Sequence, residues 1–355
     1  MKFSIPVRRA ILNRRTYEAP AEGREDNLRL DFNENTAGCS PAVKRALAKL
    51  STKQLAMYPE YEERARTVAK YFGVQAEELL LTNGGDDALR VFFDTFVDAG
   101  SAVLICEPTF PMYRYYAEIS GARIDALRYG ANMEFPVASA VAALRRKPCV
   151  LFIANPNNPT GTLLGYAELE RIVRTATATV VVIDEAYAEF SGLTVLRWIQ
   201  KYPHLFVTRT FSKAAGLAGL RLGAVLGSKD SLAMLRRAMP PYPVNIAALV
   251  AAEAAIRDVQ TVENYVRNVT RAREWVQDTL RRMGVTCYRS AGNFVLVDFG
   301  PVGPALFKHL AAKGILVRER NEFGPGFARI TIGTVHEMKK FVRETEAYWR
   351  RSDPA

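Results

Sequence analysis

Histidine and cysteine are scarce in this chain, at three and four among 355 residues. His204, His309 and His336 lie far apart, and no Cys or His pair has zinc-site spacing, which argues against a metal enzyme built on those ligands. Cys39, Cys106, Cys149 and Cys287 are scattered without a CxxC pair, so a disulfide framework is excluded and reduced core thiols are expected. No apolar run approaches the roughly 18 residues that a bilayer span needs. The opening segment MKFSIPVRRAILNRR carries arginines where a secretion signal has its apolar stretch. A cytoplasmic protein with no membrane partner is therefore expected. Also missing are GxxxxGK[ST], GxGxxG and GxSxG, the marks of P-loop NTPases, Rossmann oxidoreductases and serine hydrolases. There is no internal repeat and no low-complexity tail.

What the chain does have is a globular composition, 49% hydrophobic and 24% charged. Its length suits one large domain and a smaller one. The formal charge of +11 raises the question of nucleic acid, yet basic and acidic residues interleave, as in YEERARTVAKYF and RAREWVQDTLRRMG. That pattern suits a solvated surface, so no nucleic-acid partner is expected, while the positive field could draw in small anions.

After an N-terminal arm of 28 residues, Ser40 and Pro41 open a helix with an apolar stripe at Val43, Leu47 and Leu50. Short apolar runs bounded by turn residues follow: ELLLTNGG, SAVLICEP, CVLFIANPNNPTG, TVVVIDEAY, LFVTRTFS and RLGAVLGS, most of them separated by helical stretches. Unbroken apolar runs suit strands buried on both faces, hence a mostly parallel sheet covered by helices. Asn245 to Met283 is proline-free and helical, a connector out of this domain. Beyond Gly284 the segments VTCYRSAGNFVLVDFG, ILVRER and FARITIGT indicate a small α+β domain, which the arm could join. The expected boundaries are 1–28 for the arm, 29–264 for the large domain and 265–355 for the small one.

Ligands of open α/β sheets bind beyond the carboxyl ends of the strands. Polar residues gather at five such ends: Asn83 to Asp87, Glu107 to Tyr113, Asn155 to Gly161, Asp184 to Tyr187, and Thr210 to Lys213. Read singly these are weak signals. Asn158 could be a turn residue, Gly84 and Gly85 a plain turn, Tyr113 a core aromatic and Lys213 an exposed helix start. In the order NPNNPTG, DEAY, SK and R, the set resembles the pyridoxal-phosphate (PLP) aminotransferases, fold type I, and within them the histidinol-phosphate subgroup. The resemblance runs from about Tyr17 to Thr334.

The resemblance implies a large α/β/α PLP-binding domain, a small α+β domain and a homodimer with shared sites. It assigns Lys213 the covalent link to the cofactor aldehyde and, once displaced by substrate, transfer of the substrate proton. Asp184 pairs with the pyridine nitrogen, while Tyr187 and Asn158 bond the ring's phenolic oxygen. Gly85, Asp86, Thr210, Ser212 and Arg221 form the phosphate cradle, the glycines permitting close backbone approach before a helix with its stripe at Leu89, Phe92, Phe93 and Phe96. Tyr113 stacks on the ring, and Tyr58 reaches the cofactor phosphate of the neighbouring subunit. Tyr17, Asn33, Glu34, Arg318 and Arg329 contact substrate, with Arg329 taking a carboxylate or phosphate. Thr36 departs from the subgroup, which has proline there. The implied reaction exchanges amino groups between histidinol phosphate and 2-oxoglutarate, giving imidazole acetol phosphate and glutamate. An aromatic amino-acid aminotransferase is the runner-up, and a threonine-phosphate decarboxylase-like enzyme comes third.

Overall fold

The computed structural model describes residues 5–12, 14 and 22–352. Its strands are β1 (Leu28–Leu30), β2 (Leu79–Thr82), β3 (Ala102–Glu107), β4 (Arg123–Arg128), β5 (Val150–Ala154), β6 (Val180–Asp184), β7 (Leu205–Thr210), β8 (Gly223–Leu226), β9 (Thr286–Cys287), β10 (Phe294–Asp298), β11 (Ile315–Glu319) and β12 (Phe327–Thr331). Seven of them form one sheet in the order β2-β8-β7-β6-β5-β3-β4. Every pairing in it is parallel except the two made by β8.

The period of two along these strands sorts their side chains onto two faces. Leu104, Cys106, Leu151, Ile153, Val181, Ile183, Leu205 and Val207 join one apolar cluster. Val103, Ile105, Val150, Phe152, Val182 and Phe206, one position out of step, join the other. Helices cover both faces, which is the three-layer arrangement expected. The second cluster is rich in aromatics: Phe152 lies flat against Phe93 and Tyr113, each at 5.2 Å between centroids. Burying each such ring contributes on the order of 2 kcal/mol.

β4 is the one strand of the large sheet that the sequence did not announce. It is an edge strand interrupted by Arg123, Asp125 and Arg128, the two arginines exposed, so it lacks the unbroken apolar run of its neighbours. The helix expected at Ser40 and Pro41 is Pro41–Leu47, with the Ser40 side chain accepting from the amide of Ala42 and the proline in the first turn. The long connector is two helices, Ile246–Arg257 and Val259–Arg282, meeting at Asp258, and Asn245 caps the first.

The second sheet has five strands in the order β1-β11-β12-β10-β9. β1 pairs in parallel with β11, Leu28 opposite Ile315 and Leu30 opposite Val317. Residues 29 and 30, expected in the large domain, are thus hydrogen-bonded into this smaller sheet. The position expected to divide the domains, 264/265, falls inside the continuous helix Val259–Arg282.

Candidate active site

The carboxyl ends of β5, β6 and β7 open onto one cavity, whose wall includes Gly85, Asp86, Asn158, Asp184, Tyr187, Thr210, Ser212, Lys213, Arg221, Arg318 and Arg329. Residues from segments as far apart as Phe32 and Arg329 therefore meet where a mostly parallel sheet places its ligands.

Lys213 follows β7 in a turn of small residues. Its Nζ donates to the carbonyl of Phe32 at 3.0 Å. Burial lowers its pKa to about 8, and the positive charge of Arg329 adds to the effect. Asp184 ends β6. Its Oδ2 accepts from the Tyr113 hydroxyl at 2.7 Å and its Oδ1 from the Thr208 hydroxyl at 2.9 Å and the Ala186 amide at 3.1 Å. Burial raises its pKa, and these three donors offset part of the rise. A carboxylate so placed favours a cation beside it.

Tyr187 is buried, and burial raises its pKa. Its hydroxyl oxygen accepts from Asn33 Nδ2 at 2.9 Å and from Asn158 Nδ2 at 3.4 Å. Asn158 in turn accepts from Arg329 Nη1 at 2.6 Å, and Arg329 Nη2 donates to the carbonyl of Asp31 at 2.5 Å. Arg329, Asn158 and Tyr187 thus form one hydrogen-bonded chain across the cavity.

The helix Gly84–Phe96 points its N-terminus at the same cavity, and the side chain of its N-cap residue Asn83 makes no capping bond. The first-turn residues Gly85 and Asp86 line the cavity together with Thr210, Ser212 and Arg221, donor groups of the kind that could hold an anion. Arg221 is held there by Asp86, at 3.0 Å. The close fit explains two glycines. A Cβ on Gly223 would lie 2.7 Å from the carbonyl carbon of Gly84, and one on Gly84, at φ +81°, 2.6 Å from Arg221 Nη2.

Tyr113 is not where the resemblance puts it. It is fully buried beneath the cavity with its ring on Phe152 and its hydroxyl on Asp184, so its ring cannot present a face to a ligand. Phe110, three residues earlier, lines the cavity instead. The helix Pro111–Ser120 begins after Phe110, so Phe110 stays at the strand end while Tyr113 is carried one turn into the core. Asn33 and Glu34 also fall outside the wall. Asn33 is buried at φ 55° and orients Tyr187. Glu34 pairs with Arg24 and Arg29. Thr36, in place of the subgroup's proline, donates its hydroxyl to Glu337 at 2.6 Å. Tyr58 lies away from the cavity, 77% exposed and stacked on Tyr242 at 4.4 Å. Tyr17 lies outside the described residues. Phe32 and Arg320, which line the wall, were missed in the sequence reading.

The sequence matches the aminotransferase class I and II family over residues 25–344. The chain belongs to that family. The aminotransferase is 36% identical over 333 residues to the histidinol-phosphate aminotransferase of Symbiobacterium thermophilum, covering 92% of this chain and 91% of the relative. It is 33% identical to the enzyme of the same name from a Geobacillus species, covering 90% and 89%. Its fold superposes on the crystal structure of the Sinorhizobium meliloti histidinol-phosphate aminotransferase in complex with pyridoxal-5'-phosphate, with a TM-score of 0.85 at 24% identity over 94% of this chain and 96% of the other. The cofactor is PLP, and the fold is that of the PLP-dependent aminotransferases. The site fits it: a buried carboxylate, a lysine with a depressed pKa and a helix N-terminus stand in one cavity. No helix among the described residues is long and apolar enough to cross a membrane.

Proposed function

We propose that this aminotransferase moves the amino group of histidinol phosphate to 2-oxoglutarate, giving imidazole acetol phosphate and glutamate, a step of histidine biosynthesis in the cytoplasm. The observation that carries the reading is the meeting of Lys213 and Asp184 with Arg318 and Arg329 in one cavity, because the substrates bring an amine and anionic ends to the same place.

The backbone amides of Gly85 and Asp86, with Thr210, Ser212 and Arg221, would hold the cofactor phosphate. Asp184 would hold the pyridine nitrogen, Tyr187 and Asn158 the ring hydroxyl, and Phe110 would cover the ring. When bound, the cofactor supplies an aldehyde that accepts the amino group and a ring that withdraws electrons from the adjacent carbon. Tyr113, Thr208 and the Ala186 amide act against the rise that burial imposes on the Asp184 pKa and so favour the carboxylate, which would hold a proton on the ring nitrogen. Lys213 Nζ, with its lowered pKa, takes a proton from the substrate carbon and returns it elsewhere. Arg329, its fork oriented by Asn158 and Asp31, receives a carboxylate.

The same proposal includes a homodimer. Tyr58 and Tyr242 form an exposed aromatic pair, with Leu55 and Met57 exposed beside them, a surface suited to a second copy whose site Tyr58 would complete. It also includes a division into a large cofactor-binding unit and a small one, with Leu28–Leu30 counted in the small sheet.

The test is a set of single-turnover half-reactions of PLP-loaded enzyme followed by cofactor absorbance. Histidinol phosphate is expected to react with a higher kcat/KM than phenylalanine or threonine phosphate, and a clear preference for phenylalanine overturns the proposal.

A further inference from the structure

Two asparagines donate to the Tyr187 hydroxyl, and the surroundings fix which end of each amide does so. Asn158 Oδ1 accepts from Arg329 Nη1 at 2.6 Å, and a guanidinium only donates, so the Asn158 NH2 is the end turned to Tyr187, at 3.4 Å. Asn33 is fixed from the other side. Thr331 is fully buried, its hydroxyl oxygen accepts the Asn33 backbone amide at 2.9 Å, and its hydrogen goes to Asn33 Oδ1 at 3.2 Å. The Asn33 NH2 is thereby left to Tyr187, at 2.9 Å.

A phenol oxygen has two acceptor positions and one hydrogen. With both positions taken by amides, the Tyr187 hydrogen has to leave in a third direction, and Tyr187 lines the cavity. Asn33 is itself held firmly. It is fully buried at φ 55°, in the left-handed region that asparagine enters more readily than most residues. Its carbonyl accepts from Asn293 Nδ2 at 3.1 Å, so all four of its polar groups are bonded. Strain of this kind persists where the surroundings over-determine a residue, often beside a reacting centre.

We propose that Asn33 is a positioning residue: by filling one acceptor position of Tyr187 it makes the phenol a donor toward the cavity, and so toward the ring oxygen of bound PLP. The inference rests on the reading in which Tyr187 faces that oxygen. A donor stabilises negative charge on the oxygen and thereby lowers the pH at which the protonation of bound PLP, and with it the absorbance, changes. A Tyr187 whose hydrogen turned back to residue 33 would present a lone pair instead, with the opposite effect. Through Thr331 of β12 and Asn293 just before β10, the small sheet thus sets the direction of a proton in the wall formed by the large one.

The experiment titrates the absorbance of PLP-loaded wild type, Asn33→Gly, Asn33→Asp and Tyr187→Phe against pH, without substrate. Glycine keeps the left-handed backbone and removes the amide, whereas aspartate keeps the shape but offers Tyr187 an acceptor. The midpoint is expected to rise by about one pH unit in Asn33→Asp, as in Tyr187→Phe, and by roughly half a unit in Asn33→Gly, where the phenol hydrogen is free to face either way. A midpoint that rises in Tyr187→Phe but stays at or below the wild-type value in both Asn33 variants overturns the inference and leaves Tyr187 facing the ring oxygen. A midpoint unmoved by Tyr187→Phe removes the reading beneath it, and the inference with it. A purely structural Asn33 would lower the melting temperature on substitution and leave the midpoint in place. Should neither Asn33 variant fold, Thr331→Val, which takes the donor from Asn33 Oδ1, is expected to raise the midpoint by a smaller amount, and no rise there overturns the inference.

Discussion

The Tyr113 hydroxyl donates to Asp184 Oδ2 at 2.7 Å from beneath the cavity, tying the first turn of one helix to the end of the central strand β6. The phenol thereby offsets part of the rise that burial imposes on the Asp184 pKa. Tyr113→Phe keeps the ring on Phe152 and removes this one donor. Cofactor affinity and kcat are each expected to fall roughly 10-fold, the worth of a hydrogen bond to a charged group. The melting temperature should change little. A spectrophotometric PLP titration beside a thermal scan checks this, and unaltered cofactor affinity would contradict it.

Lys213 gives a pH prediction for the cofactor-free protein. Its native pKa is lowered to about 8 from an ordinary 10.5, so between those values the unfolded chain binds more protons than the native one. Native stability from this group therefore rises with pH across that window, and below about pH 8 the buried charge costs the fold up to roughly 3 kcal/mol. Lys213→Met, uncharged and similar in length, is expected to be more stable than wild type at pH 7 and to lose the advantage by pH 10.5. Urea denaturation at both pH values measures it, and a constant difference would count against the assignment.

Arg329 presents a fork oriented by Asn158 and Asp31. Arg329→Lys keeps the charge but not the planar geometry, and it releases Asn158 from one of its bonds. The kcat/KM for glutamate is expected to drop roughly 10- to 100-fold, mostly through KM. Steady-state kinetics with glutamate would show it, and a drop confined to kcat would place the arginine's role elsewhere.

Gly223 on β8 packs against the first peptide of the helix Gly84–Phe96. A methyl group here meets backbone rather than a yielding side chain. Gly223→Ala is expected to destabilise the fold by about 1–3 kcal/mol and to loosen the phosphate cradle. Calorimetry with and without PLP distinguishes the outcomes: the gap from wild type should widen when cofactor is present.

Much of this was legible in the residues, for physical reasons. The central strands announced themselves because burial on both faces demands unbroken apolar runs, and the polar residues at their ends followed from the sheet's geometry. The edge strand β4 escaped because charged residues interrupt it. Tyr113 was misassigned because two aromatics three residues apart look alike until the helix start at Pro111 fixes which one enters the core. Arg320 could have been found from Arg318 by the strand period alone. Phe32 could not, since it offers Lys213 a backbone carbonyl, which every residue possesses.

Phe32 has one further consequence. Its carbonyl receives the Lys213 ammonium, its ring lies 5.6 Å from the Arg318 guanidinium, and it stands two residues past the strand that pairs with β11. A shortened chain beginning after residue 32 would thus lose an outer thread of the small sheet and, with it, the anchor of an amine nearly two hundred positions downstream.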